Sequence, residues 1–289
     1  MLRQLTSLSA ILRRMRSPVF ILAGALLYST SAVAQSPYCA SLRNTDKDVI
    51  LAADSWDPVL AISDTLADRY GISVSVESPQ WAFPNDTEDV AIADPQFSAQ
   101  HRNIHYLVMK RHVVQVRFPA VADAHPKDLV GLLVQLRDAA NKEMPYAYRL
   151  DAHDREYVLV PTKTRNSAGE LEDVQPLLDR HVNIPAGSRS LAEHASLMAD
   201  QLSGQTGLHV NCCQSFVGGI PWGRAAVLFQ ADDEPAREVL RRLIRLEEQQ
   251  NSHAPNWHPA YDHWRVGCDG TGAPWCFIEV RGIFSTECR

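Results

Sequence analysis

The pattern that most constrains this chain occurs twice. Asp57-Pro58 opens a run that puts Val59, Ile62, Leu66 and Tyr70 on one helical face; Gly71 stops it, and the alternating Ile72-Ser73-Val74-Ser75-Val76 follows. Helical spacing of apolar residues, a glycine just beyond them and then strict alternation spell helix, left-handed stop and half-buried strand. Farther along, Ser188 or Ser190 stands as a cap before Leu191, Ala195, Met198 and Leu202, with Gly207 as the stop and Leu208-His209-Val210 as the strand. One constant offset lays Ile62 on Met198, Leu66 on Leu202, Gly71 on Gly207 and Val74 on Val210.

The correspondence continues beyond these helices. The strand His112 to Phe118, Pro126 and a helix with Leu129, Val130, Leu133, Val134 and Leu136 match Ala225 to Phe229, Pro235 and a helix with Val239, Leu240, Leu243, Ile244 and Leu246. Each half closes with an aromatic strand pair, Tyr146 to Leu150 with Tyr157 to Val160, and His263 to Val266 with Phe277 to Val280. Two helices of this kind match easily by chance, so a single generic α+β domain is the alternative; the shared order argues against it. We expect an α+β chain of two tandem βαββαβ(β) two-layer domains related by internal duplication. The first covers 35–161, with an insertion near 79–106; the second covers 177–289. Between them, 162–176 carries Lys163, Arg165, Asn166, Ser167, Gly169 and Glu170 with little apolar content and reads as a linker.

Ahead of both halves lies a basic start with Arg3, Arg13, Arg14 and Arg16, an apolar run from Val19 to Leu27, and the small-residue ending Ala32-Val33-Ala34. This three-part pattern reads as a signal peptide over 1–34 with cleavage after Ala34. The run is far shorter than the roughly 20 apolar residues that span a bilayer, so no membrane span is expected after processing. The mature chain is expected to be periplasmic or secreted.

Export sets the redox setting. All six cysteines, Cys39, Cys212, Cys213, Cys268, Cys276 and Cys288, lie beyond Ala34, where thiols tend to pair. Cys268 and Cys276 flank a turn-rich stretch and are expected to bridge the base of a hairpin; the other pairings stay open. Cys212-Cys213 reads as two structural half-bridges, with a vicinal redox pair as the alternative.

The chain has a formal net charge of −6, and losing the leader removes four arginines and no acid. An acidic chain repels phosphate backbones, and pairs such as Lys110-Arg111 and Arg241-Arg242 form no basic stripe, so nucleic acid is a poor partner. No Gly-x-Ser-x-Gly elbow is present, and Gly218-Gly219 and Gly270-x-Gly272 lack the context of a phosphate loop. Asp232, Asp233 and Glu234 precede a helix and read as caps. His253, His258 and His263 recur with Trp257 and Tyr261, but a five-residue spacing does not converge ligands on a metal, and we expect no metal or cofactor. With Trp81, Phe83 and Phe97 of the insertion, Trp257 and Tyr261 are candidates for a recognition surface.

Leu66-Ala67-Asp68-Arg69-Tyr70-Gly71-Ile72-Ser73-Val74 and Leu202-Ser203-Gly204-Gln205-Thr206-Gly207-Leu208-His209-Val210 resemble the short N-terminal domain shared by secretins and TonB-dependent receptors. If both halves count, the resemblance covers most of the mature chain, and it lies in packing and turns more than in chemistry. It implies a periplasmic, non-enzymatic module that binds an envelope protein or assembly by strand-edge or helix-face contact. The membrane β-barrel of those families has no counterpart after Phe284, so channel and receptor activity do not carry over. An exported hydrolase with a Cys or His based site is the alternative, and binding of a small ligand between the halves a third possibility.

Overall fold

The structure, a computed structural model, describes residues 39–80, 83–100, 107–120, 126, 128–153, 156–212, 226–251, 263–269 and 275–281. Its first half runs β1 (Ser41–Asn44), β2 (Asp48–Ser55), α1 (Pro58–Tyr70), β3 (Ser75–Glu77), β4 (Thr87–Asp89), α2 (Val90–Ala93), α3 (Pro95–Gln100), β5 (Leu107–Met109), β6 (His112–Pro119), α4 (Leu129–Glu143), β7 (Ala147–His153) and β8 (Glu156–Arg165). The second runs β9 (Leu171–Asp173), β10 (His181–Arg189), α5 (Leu191–Thr206), β11 (His209–Cys212), β12 (Val227–Pro235), α6 (Ala236–Asn251), β13 (His263–Asp269) and β14 (Trp275–Arg281). The fold is mixed α and β, as expected.

Local sequence fixes the helix ends. The Asp57 carboxylate accepts the Leu60 N–H at 3.0 Å ahead of α1, and Pro58 supplies the first helical residue. At the other end Gly71 sits at φ 62°, a left-handed conformation without steric cost to glycine, and Gly207 repeats it after α5 at φ 71°. Ser190 and Glu193 form a capping box at the start of α5. The strand expected from Ile72 is shorter than its alternation: the Ile72 N–H is spent on the Leu66 carbonyl at the end of α1, and ladder pairing begins only at Ser75.

The pairing scheme is the same in both halves. β2 and β6 pair antiparallel, as do β10 and β12; β3 lies parallel to the second strand of the β7–β8 hairpin, as β11 lies parallel to the second strand of the β13–β14 hairpin. β1 adds a further strand to β2. The halves then join, because β13 pairs in parallel with β3, giving one seven-stranded sheet in the order β11-β14-β13-β3-β8-β7 with β9 on β8. Residues Gln35–Arg289 form one compact unit.

The cores show why two separable bodies do not result. One gathers Leu51, Ile62, Leu66, Val116, Leu133, Leu136 and Leu159; the other gathers Met198, Leu202, Leu240, Leu243, Trp264 and Ile278. Successive strand side chains point to opposite faces, so Leu159 enters the first core while Val158 and Val160 of the same strand enter the second. A strand buried on both faces reads as a continuous apolar run, which is what Tyr157-Val158-Leu159-Val160 is.

The expected linker over 162–176 takes another form. β8 continues through Arg165, turns at 166–170 and pairs antiparallel with β9, Lys163 opposite Asp173 and Arg165 opposite Leu171. Its polar composition reflects an exposed hairpin, whose backbone bonds do not need apolar side chains. Asp232, Asp233 and Glu234 lie in β12, not at a helix cap; Glu234 instead holds Arg242 of α6. Side-chain amides occupy strand edges: Asn141 of α4 bonds both backbone groups of Tyr148 on β7, and Gln201 of α5 bonds both backbone groups of Asn183 on β10. At these two residues the backbone groups are not open to an added strand.

Candidate functional site

The seam between the halves is held by buried charge. Glu77 ends β3, and Arg237 of α6 donates to it from Nε and Nη2, both at 2.8 Å, while Trp264 Nε1 donates at 3.2 Å. Arg237 also reaches Asp179, which accepts Arg149 Nη2 at 3.0 Å. Burial opposes the charge on Arg237, but bonding to Glu77 and the charges of Glu77 and Asp179 outweigh it and hold the guanidinium above its ordinary range. Next along α6, Arg241 pairs with Glu156 and Glu238 and lies 5.7 Å from the centre of the Trp264 ring. These groups satisfy one another and fasten α6 to the strands of the first half.

Beside this network opens a cavity of about 140 Å³. Its wall is built by Glu77 at the end of β3 with Ser78, Pro79 and Gln80 after it, Pro161 of β8, the stretch Val174 to Leu177, Thr206 and Leu208 at the end of α5, and Val266, Cys268 and Cys276 of the hairpin. Arg180 completes the lining. Its backbone is fixed, the N–H on the Leu177 carbonyl and the carbonyl on the Ala236 N–H, but its side-chain Nε is buried and has no hydrogen-bond partner among the described residues. The two hydroxyls in the wall are committed elsewhere: Ser78 Oγ faces Asp57 Oδ2 at 3.4 Å, and Thr206 Oγ1 donates to the Leu202 carbonyl. The cavity wall thus mixes apolar and polar side chains, and among the described residues the Arg180 Nε–H faces it without an acceptor.

The insertion forms a small ledge. β4 and β5 pair antiparallel, with Val90, Ala93 and Val108 packed together and against Trp56. It is clasped to the β8–β9 hairpin by Arg165, whose Nη1 meets Asp86 Oδ1 at 2.9 Å and whose guanidinium lies 6.0 Å from the Phe83 ring centre. The ring closes on Gly169, at φ 86°, where a Cβ would come within 2.9 Å of it. Phe83 is therefore part of a clasp and is only partly exposed. The ledge exposes Ile92 at 71%, and the hairpin exposes Leu171 at 58%.

Of the other recognition candidates, Trp81, Trp257 and Tyr261 lie outside the described residues, and Phe97 falls in α3 with its side chain outside the description. Cys268 and Cys276 are bonded and sit opposite each other in the β13–β14 ladder, as expected. Cys39 and Cys212 are also in disulfides; Cys213, Cys288, the cleavage position Ala34, His253 and His258 lie outside the described residues, and His263 begins β13. Among the described residues no helix is long and apolar enough to cross a membrane, and no His, Cys, Asp or Glu cluster is arranged to hold a metal.

Sequence reasoning missed Glu77, Arg180 and Arg237. A signal existed for Arg237: with Arg241 it falls on the apolar stripe of α6 shared by Leu240 and Ile244, where a cation must find a buried acid. Arg180, between an acid and a histidine in an irregular segment, gave none. No protein-family model, curated protein or solved structure matches this chain.

Proposed function

We propose that the chain is an exported, non-enzymatic binding protein of the cell envelope, built from two secretin-N-terminal-like halves of duplicated origin and acting by contact with another envelope protein. The observation that carries this reading is the ledge: a folded insertion, clasped by Asp86–Arg165 and Phe83 on Gly169, that holds Ile92 out to solvent. Fixed exposed apolar side chains favour association because little ordering entropy is left to lose. The repeated pairing scheme supports the duplicated origin, and the side-chain amides engaged at Tyr148 of β7 and Asn183 of β10 disfavour strand addition at those two points. Every described cysteine is in a disulfide, which favours binding over a hydrolase with a thiolate nucleophile.

The test is an affinity pull-down from envelope extract with residues 35–289 as bait, beside an Ile92→Asp variant of unchanged circular dichroism. A reproducible partner whose recovery falls by about tenfold in the variant supports the reading, since an apolar anchor contributes on the order of 1–2 kcal/mol. Retention of nothing above background, or equal retention by both baits, overturns it.

A further inference from the structure

We infer that the cavity at the seam is a binding site for a carboxylate carried on a small apolar body, with Arg180 as its anchor. The acidic and basic groups of the seam are matched with one another: Glu77 and Asp179 with Arg237, and Asp179 and Asp151 with Arg149. Arg180 is the exception: among the described residues this cation in the cavity wall has no ion-pair partner, and its buried Nε–H has no acceptor. A buried donor left unmade is costly, and a planar guanidinium offers Nε–H and one Nη–H in parallel, the spacing of the two oxygens of a carboxylate.

The rest of the wall selects the body of the ligand. Pro79, Pro161, Pro176, Leu208 and the Cys268–Cys276 disulfide give one apolar, stiff side, the Ser78 and Thr206 hydroxyls are already engaged, and Gln80 and Gln175 add amides that can bond a carboxylate or a short polar group beside it. At about 140 Å³ the space is close to the ~150 Å³ of an engineered apolar cavity that admits benzene. One unmatched guanidinium balances one negative charge. Phosphate, a dianion with more acceptors, would find a single cation and the Glu77 carboxylate in the same wall. The shared chemistry is met by two sources, a free small organic acid or the C-terminus of a peptide. The site is independent of the Ile92 surface.

Residues 35–289, labelled with ¹⁵N, are titrated with sodium propionate, sodium benzoate and inorganic phosphate, and with a short apolar peptide carrying a free or an amidated C-terminus. The Arg180 Nε–H and the Leu208 and Val266 amides report binding. Saturable shifts with propionate or benzoate support the site and identify a free acid. Shifts with the free peptide alone, lost on amidation, support it and identify a C-terminus. Arg180→Gln should weaken either by about tenfold or more, with Arg180→Lys between it and the parent because a charge remains without the fork. No saturation by any carboxylate, tighter binding of phosphate, or unchanged affinity in a folded Arg180→Gln or Arg180→Lys protein overturns the proposal.

Discussion

Arg237 on α6 and Glu77 at the end of β3 meet in a two-pronged ion pair, with 8% and 1% of their side chains exposed. Two facing hydrogen bonds compensate much of what both charges lose on leaving water, and removing one partner strands the other. Arg237→Leu is expected to destabilise the protein by about 3–5 kcal/mol in urea unfolding. Glu77→Leu combined with Arg237→Leu should recover part of that loss, because no isolated buried carboxylate remains. A double variant no more stable than Arg237→Leu alone would show that packing, not charge pairing, holds the seam.

Shared burial across β8 predicts joint unfolding. Val158 and Val160 belong to one core and Leu159 to the other, so neither core closes without the same strand. Calorimetry on residues 35–289 should show a single transition with matching calorimetric and van't Hoff enthalpies. A fragment of residues 35–161 and one of residues 162–289 should each lack a cooperative transition. Two separable transitions would return the halves to the status of independent domains.

The Cys268–Cys276 bridge closes a short loop, with a sequence separation of 8. Restricting the unfolded chain over so short a loop stabilises the fold by roughly 2–3 kcal/mol. Replacing both cysteines by alanine should lower urea stability by that amount while leaving far-ultraviolet circular dichroism nearly unchanged. Thiol titration of the unreduced, denatured parent should detect no free thiol, consistent with the described cysteines all being bonded.

Glu193 gives the capping box of α5 a pH dependence of known sign. Its carboxylate accepts the Ser190 N–H at 2.7 Å and the Ser190 hydroxyl at 2.8 Å, which holds it below the ordinary glutamate range. A carboxyl whose folded pKa is depressed contributes stability above its unfolded value, near 4.3, and loses it as pH falls through the folded one. Glu193→Ala should therefore melt roughly 1–3 °C below the parent at pH 7. The gap should close as the pH drops toward 3. A gap that persists in acid would assign the effect to the hydrogen bonds of the neutral carboxyl with Ser190 instead of to its charge, since alanine is the better helix former.

Much of the local structure was legible in the sequence for local reasons. Asp57 and Ser190 as caps, Gly71 and Gly207 as left-handed stops, and the apolar stripes of α1, α4 and α5 depend on interactions within a few residues, so periodicity and cap chemistry revealed them. The Cys268–Cys276 pairing followed from a turn. Glu77 and Arg237 meet only because β3 and α6, far apart in the chain, are packed together, and Glu77 and Arg180 line one cavity for the same kind of reason; a spacing argument does not reach across such a distance. The setting of Phe83 was illegible for a related reason: it is clasped under Arg165 and against Gly169, contacts that composition does not encode.

The sequence by itself determined two successive sets of helices and strands in the same order, each with its own apolar faces, because periodicity and end signals are local. Only the tertiary structure decided that β13 pairs with β3, that β8 serves two cores, that the polar stretch after it is a hairpin, and that Arg180 lines a cavity without a partner. These depend on which strand edges and charged groups find each other once the chain is compact, and a choice among competing long-range partners is settled by the whole sheet at once, not by any single segment.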